Sequence, residues 1–421
     1  GKKGKGKAAA PILTTPAIIK ARQTCLCPRL GDSLRNMEIA DDCRMDVIYW
    51  RMNKAAERGH NALNLSHAAL DFLPEDIIHI PELVGVVSLD LSYNRLFNSD
   101  HVFEILTHLP LLKKLNLSHN RLHGALSVAA CRIETLEELR LDSNELTKLP
   151  ETGIENWRSL KVFSVSHNRI KELPETVGEW TSLEEINFGN NQIKELPFEI
   201  GNLKELRRMN FSSNQLQFVP DQVGELTKLV SLDLRGNALV TLPVTLAQCT
   251  KIEHLNLGAN RLTRLPPEVM GQLLHLRDLQ LYRNKLDSLP PEMGALQNME
   301  RISLSSNNLR SLPEELGQCS SLRELYINNN SKFKEIPASM GHLAMMRELS
   351  ARSCPALKSL PATAKNWTGL KQLDVRAGKK KETCKITPDV AEALKGGGAT
   401  IRGGNIKKAK GKKGGGKKKK K

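Results

Sequence analysis

The sequence predicts an α/β solenoid: a curved stack of short parallel strands with a concave sheet, helical caps and basic tails that do not pack. Three observations predict it. A Leu-x-Leu-x-x-Asn-x-Leu pattern returns at intervals of 23 to 26 residues along most of the 421-residue chain. Hydrophobic residues make up 40 % of the chain and aromatic ones only 4 %, the composition of a core built from one repeated aliphatic layer. The net charge of +16 also divides unevenly. Residues 1–7 contribute +4 and residues 378–421 contribute +13, leaving −1 for residues 8–377. The body is close to neutral and the ends are cationic.

The elements follow in chain order. Residues 1–44 form a basic arm and linker. Residues 45–60 hold a cap helix, read from the amphipathic run Asp46–Arg58 and closed at Gly59. Residues 61–377 hold about 14 repeat units. Leu232-x-Leu234-x-x-Asn237-x-Leu239 recurs as Leu255-x-Leu257-x-x-Asn260-x-Leu262, and the asparagine returns eleven times from Asn94 to Asn330. Ala68 and Cys354 take its place in degenerate end copies. In each unit the leucines of the strand turn inward and the residues between them face outward. The Asn amide has two donors and one acceptor for the backbone of the bend, and the Leu-Pro step ends the ladder because Pro lacks an N–H. A C-terminal cap occupies 378–402, with Pro388 at the first position of a helix that ends at Gly396. Residues 403–421 are Lys/Gly-rich and hold too little apolar surface to pack.

The unit Leu183–Leu206, L-x-x-I-x-F-x-x-N-x-I-x-x-L-P-x-x-I-G-x-L-x-x-L, resembles the leucine-rich repeat, and the likeness covers residues 61–377. Its 23-residue length and L-P-x-x-I-G-x-L ending are similar to the intracellular subclass of Ras-pathway scaffolds and plant Ras-group repeat proteins. The resemblance implies a horseshoe-shaped solenoid, a non-enzymatic scaffold and a protein partner on the concave face. For this subclass it implies a small GTPase or a phosphatase as partner. No Lys/Arg-Val-x-Phe docking peptide stands in 1–44 or 378–421, which weakens that version.

Several classes are excluded. No run approaches the roughly 20 apolar residues of a membrane-spanning helix. Pro11 and Pro16 interrupt any secretory apolar segment, and Lys5 stands where a myristoylation signal needs Ser or Thr. A cytoplasmic location is expected, cytoskeletal or ciliary in one reading. The Gly/Lys runs at 1–7 and 411–418 imitate a phosphate-binding loop but lack its hydroxyl residue and its strand–helix setting. His67, His119 and His167 share one column two repeats apart, roughly 10 Å at about 4.8 Å per strand, too far to share a metal ion. Cys25-x-Cys27 has no matching second pair. Trp157, Trp180, Trp367, Cys249 and Cys319 stand in the inward slot held by Leu203 in its unit, and read as core. No catalytic set, cofactor or metal site is expected.

The outward columns carry the binding expectation. Up to Ser212 they are small and bland. Beyond it, and at its edge, stand Arg208, Arg235, His254, Tyr282, Arg283, Arg301, Tyr326 and Arg352, mostly the Tyr and Arg types that anchor interfaces. Ten lysines, Lys407, Lys408, Lys410, Lys412, Lys413, Lys417, Lys418, Lys419, Lys420 and Lys421, form an electrostatic tether for an acidic polymer or surface. Tubulin or axonemal proteins fit such a tail in an alternative, structural reading. Nucleic acid fits it without sequence specificity, because no aromatic is interleaved for base stacking.

Overall fold

The computed structural model describes residues 47, 48, 50–52, 54, 55, 61–377 and 384–406. The arm 1–44 and residues 56–60 of the cap helix lie outside the described residues. So does every lysine of the expected tether: Lys407, Lys408, Lys410, Lys412, Lys413, Lys417, Lys418, Lys419, Lys420 and Lys421. The chain divides into two compact units, Gly1–Leu160 and Lys161–Lys421, a division inside the predicted repeat array.

In the first unit the strands Ala62–Asn64, Ser88–Asp90, Lys114–Asn116 and Glu138–Arg140 pair in parallel, with Leu63, Leu89, Leu115 and Leu139 in register. Ile48, Met52 and Ala55 of the helix before them are buried on one stripe, as the helical period requires. Arg51 fastens this helix by donating to Ser66 O at 2.7 Å. The 26-residue interval between Asn94 and Asn120 holds an eight-residue α-helix, Ser99–Leu106, where other units hold a tight turn. Asn98 caps it by accepting from His101 N, which satisfies one of its free N–H groups.

In the second unit ten strands from Val162–Ser164 to Gln372–Asp374 run parallel in chain order, and Thr400–Arg402 of the C-terminal cap adds an eleventh. Their other sides are mostly 3-10 turns that begin after a proline, as at Pro174, Pro197, Pro220 and Pro243. Pro costs nothing there, since the first N–H of a helical turn has no partner to lose. The glycine of I-G-x-L is fixed by crowding: a Cβ on Gly224 would lie 2.4 Å from Thr245 O in the next turn. The cap helix Pro388–Gly396 buries Val390, Ala391 and Leu394. The boundary drawn at 403 is too early, because Asn405–Ile406 pairs with Lys385–Ile386. Once Thr400–Arg402 joins the sheet, the following residues are carried alongside that earlier strand.

Adjacent turns are joined by the asparagines. Asn214 Nδ2 donates to Phe188 O of the preceding repeat at 2.9 Å and to Phe211 O of its own at 3.1 Å. Its Oδ1 accepts from Ile193 N at 3.0 Å. Asn94, Asn120, Asn260, Asn284 and Asn307 repeat this set. Cys354 retains one member of it, Sγ to Ile327 O at 3.1 Å.

Asn214→Leu leaves the buried Ile193 N–H without its partner and takes one of two donors from each of the Phe188 and Phe211 carbonyls, which keep Asn191 and Asn237. An orphaned buried N–H costs about 1–3 kcal/mol, so urea unfolding should show a loss of about 1–3 kcal/mol. Exposed Asn308→Ala, one residue beyond a ladder position, should fall within about 0.5 kcal/mol of the parent. Equal stability of the two variants would remove the ladder from its structural role.

Candidate functional site

The candidate surface is the outward face of the strands in the second unit. Because the strands are in register, residues of one column lie beside one another: Ser231, His254, Asp278, Arg301, Glu324 and Glu348 are paired in sequence. Charges one strand apart are therefore ion-pair partners. Arg301 Nε donates to Glu324 Oε2 at 2.7 Å, and its Nη1 reaches Asp278 at 3.3 Å. Arg208 Nε donates to Glu185 at 2.8 Å. Tyr326 lies half-buried with its hydroxyl 3.0 Å from Glu324 and 3.1 Å from Glu348. Burial, with the bond to Glu324 behind it, pushes the Tyr326 hydroxyl well above its usual range. The Arg301 hydrogen bond holds the Glu324 carboxyl below its usual range against the effect of burial, so Tyr326 is a donor fixed between two carboxylates.

The eight expected anchors are therefore of two kinds. Arg208, Arg301 and Tyr326 are held by acids of their own face: Glu185 and Glu324 of the adjacent strands for the two arginines, and Glu324 of its own strand with Glu348 of the next for the tyrosine. Arg235, His254, Tyr282 and Arg283 make no side-chain hydrogen bond or ion pair among the described residues. Arg352 is exposed, and its charge helps to lower the Asp374 carboxyl against burial, after the closer bond from Arg376. Tyr282 does not stand away from the surface. Its Cε1 lies 2.4 Å from where a Cβ on Gly258 would be, so the ring rests on the bare backbone of the preceding strand. One column earlier Glu253, Arg277, Glu300 and Arg323 alternate in a chain of ion pairs at 3.2, 3.4 and 3.6 Å. Arg347 follows with no ion pair among the described residues. A shallow depression of about 370 Å³ lies between these two columns.

The inward slot is core, as expected, and carries a polar function as well. Trp157 Nε1 donates to Ala130 O, Trp367 Nε1 to Met340 O, Cys249 Sγ to Val223 O and Cys319 Sγ to Met293 O. Burial pushes the Cys319 thiol up to about 12 and that of Cys249 to about 11, so neither is a nucleophile. Among the described residues no three His, Cys, Asp or Glu converge as metal ligands, and no helix is long and apolar enough to cross a membrane.

One feature of the first unit escaped the sequence reading. His67 and His119 are exposed, but Tyr93 fills the interval between them, with centroid separations of 4.4 and 4.2 Å and near-parallel planes. The signal was present one column beyond the bland serines, in the pairs Ser66-His67, Ser92-Tyr93 and Ser118-His119.

This arrangement defines a class: a parallel-strand solenoid that offers columns of side chains, the form of a binding module. Family models agree. "Leucine-rich repeat region" matches residues 260–394, "Leucine rich repeat" matches 134–193 and 181–239, and "NXF1/2/3/5 leucine-rich repeat domain" matches 52–152. Osteomodulin of Rattus norvegicus is 35 % identical over 92 residues, 22 % of this chain and 21 % of that protein. Toll-like receptor 6 of Bos taurus is 40 % identical over 86 residues, 20 % of this chain and 10 % of the receptor. The chain thus spans about a fifth or less of these relatives. Among solved structures, a leucine-rich-repeat protein of Leptospira interrogans is 26 % identical with a TM-score of 0.57, over 83 % of this chain and 97 % of its own. A TDR receptor is 26 % identical with a TM-score of 0.62, over 72 % of this chain and 52 % of its own. The chain is a leucine-rich-repeat protein with the α/β solenoid fold of that family.

The Glu324–Arg301 pair gives a pH test. A carboxyl held low in the folded state adds stability above the ordinary Glu range and loses it as pH falls through the lowered value. Arg301→Met should therefore cost about 0.5–1 kcal/mol at pH 7, the scale of a half-exposed ion pair. Urea midpoints of variant and parent should converge toward pH 3. A gap of constant size from pH 7 to 3 would show that Arg301 acts through packing.

Proposed function

We propose that the chain is a non-enzymatic interaction scaffold, with a protein partner bound on the strand face of the second unit. The observation that supports this reading most directly is the group Arg235, His254, Tyr282 and Arg283, whose side chains make no hydrogen bond or ion pair among the described residues while several of their neighbours are paired. Arg forks and a half-buried Tyr ring suit a partner surface that is acidic and partly apolar. Held in place by Arg301, Tyr326 and their acids, the surrounding lattice gives the partner a rigid platform and lowers the ordering cost of binding. The 23-residue units with L-P-x-x-I-G-x-L endings favour the Ras-group subclass and a signalling partner such as a small GTPase.

A second reading rests on the ten lysines from Lys407 to Lys421, a charge density suited to the acidic surface of microtubules or another polyanion. Five of them, Lys417, Lys418, Lys419, Lys420 and Lys421, are consecutive, and the other five, Lys407, Lys408, Lys410, Lys412 and Lys413, precede them within eleven residues. This reading makes the chain a cytoskeletal or axonemal component. The two readings share the solenoid and differ in what recruits it.

Affinity purification at low salt with the full chain as bait separates them by the chemistry of what is recovered. For the recovered partner, Tyr282→Ala with Arg283→Ala should weaken binding at least tenfold, about 1.4 kcal/mol, with an unchanged melting temperature. Ser118→Ala with Ser166→Ala on the smaller-residue columns serves as control. If the serine pair weakens binding and the Tyr/Arg pair does not, the strand-face assignment is wrong.

Deleting residues 407–421 preserves the pairing of Asn405–Ile406, unlike a cut at 403. The truncated chain should melt with the parent and lose co-sedimentation with microtubules or anionic vesicles, most strongly at low ionic strength. Undiminished sedimentation at low salt would end the tether reading.

A further inference from the structure

We propose that the first unit carries a docking surface of its own, in which the free edge of the strand His123–Ala125 takes an extended peptide segment bearing apolar and basic side chains. This strand belongs to a two-stranded sheet, paired with Glu145–Lys148 on one side and with no strand on the other among the described residues. On that second side Arg121 N donates to Leu96 O at 2.8 Å before the strand and Ser127 N to Ser99 Oγ at 2.8 Å after it, so bonds to the preceding repeat bracket the open stretch. An open row of backbone donors and acceptors is what strand addition requires.

The edge opens onto a cleft of about 500 Å³ lined in part by Phe97, Asp100, Ala125 and Val128. Phe97 and Val128 are 37 % and 62 % exposed, a large fraction for such side chains in a folded unit. The Phe97 ring lies parallel to His123 at 6.4 Å, and Phe72, 55 % exposed, meets it edge-on at 5.0 Å. Strand, rings and Val128 form one apolar wall beside a hydrogen-bonding edge.

Charge selects the occupant. Residues 61–160 hold fourteen carboxylates against eight cationic side chains, a net −6. Glu104, Glu137 and Glu138 are held by Arg132, Lys113 and Lys114. Asp100, at the rim of the cleft, makes no ion pair among the described residues. An added strand points alternate side chains to opposite sides, so an apolar residue can enter the Phe97–Val128 wall while a neighbouring Lys or Arg reaches Asp100. The same negative balance disfavours a nucleic acid strand.

The test uses the full chain and a fluorescein-labelled peptide of sequence TVKLKVT, read by fluorescence anisotropy. Saturable binding is expected, weakened at least fivefold by Phe97→Ala and by Asp100→Asn. A peptide with Glu for both Lys should show no dependence on either substitution, and methylation of alternate backbone nitrogens should remove binding. Both altered side chains are exposed, so circular dichroism should be unchanged; should Phe97→Ala fail to fold, Asp100→Asn carries the decision. The proposal is overturned by absence of saturable binding, by equal affinity across parent and variants, or by full affinity of the N-methylated peptide. Displacement of the peptide by oligo(dT) with the same dependence on Phe97 would also overturn it, in favour of a nucleic acid site.

Discussion

The structure depends on the asparagine amide that joins one turn of the chain to the next. Each repeat must bend sharply after its strand, and the bend buries backbone groups that no sheet or helix ladder can pair. Asn214 satisfies a carbonyl of its own repeat and both a carbonyl and an N–H of the preceding one. Unpaired, these groups would oppose the burial of leucine that drives the stack. Because the amide reaches into the neighbouring repeat, it also fixes how successive strands align. Parallel pairing of Leu232 with Leu255 and of Leu255 with Leu279 follows from that alignment.

Register has a second consequence at the surface. Side chains 23 or 24 residues apart become neighbours, and a charge is judged by what stands one strand away. Arg301 lies between Asp278 and Glu324, and Glu300 between Arg277 and Arg323. Each pair is half-exposed and contributes little to stability alone. Among the described residues this lattice leaves a small set of side chains without internal partners, the set proposed above to meet another molecule. The inward slot follows the same rule: Trp367 and Cys319 differ greatly in size, yet both donate to a carbonyl of the preceding repeat.

The first unit departs from the repeat pattern where the docking edge is proposed. The longer interval before Asn120 replaces a tight turn by the helix Ser99–Leu106, and the next unit adds the strand His123–Ala125 ahead of its own turn Val128–Arg132. Exposed apolar side chains are not confined to that region, since Phe198 and Val244 stand exposed at the start of regular turns as Val128 does. What is particular to the first unit is that Phe97 and Val128 lie beside a strand paired on one side only among the described residues.

The period of Leu and Asn by itself determined the solenoid, the inward and outward columns, the strand positions and the helix beginning at Pro388. All of these are local: they depend on side-chain type and on spacing along the chain. The core placement of Trp157 and Cys249 was legible for the same reason. Tertiary structure alone decided which outward residues are paired, because the partners of Arg208 and Arg301 are 23 residues away, as is the second acid of Tyr326 at 22, and they become neighbours only through register. It also decided that Tyr93 stacks between two histidines, that Tyr282 lies on Gly258, and that Asn405–Ile406 forms a strand. Each of these depends on the distance between repeats in space, which the sequence period implies only once the chain has folded into register.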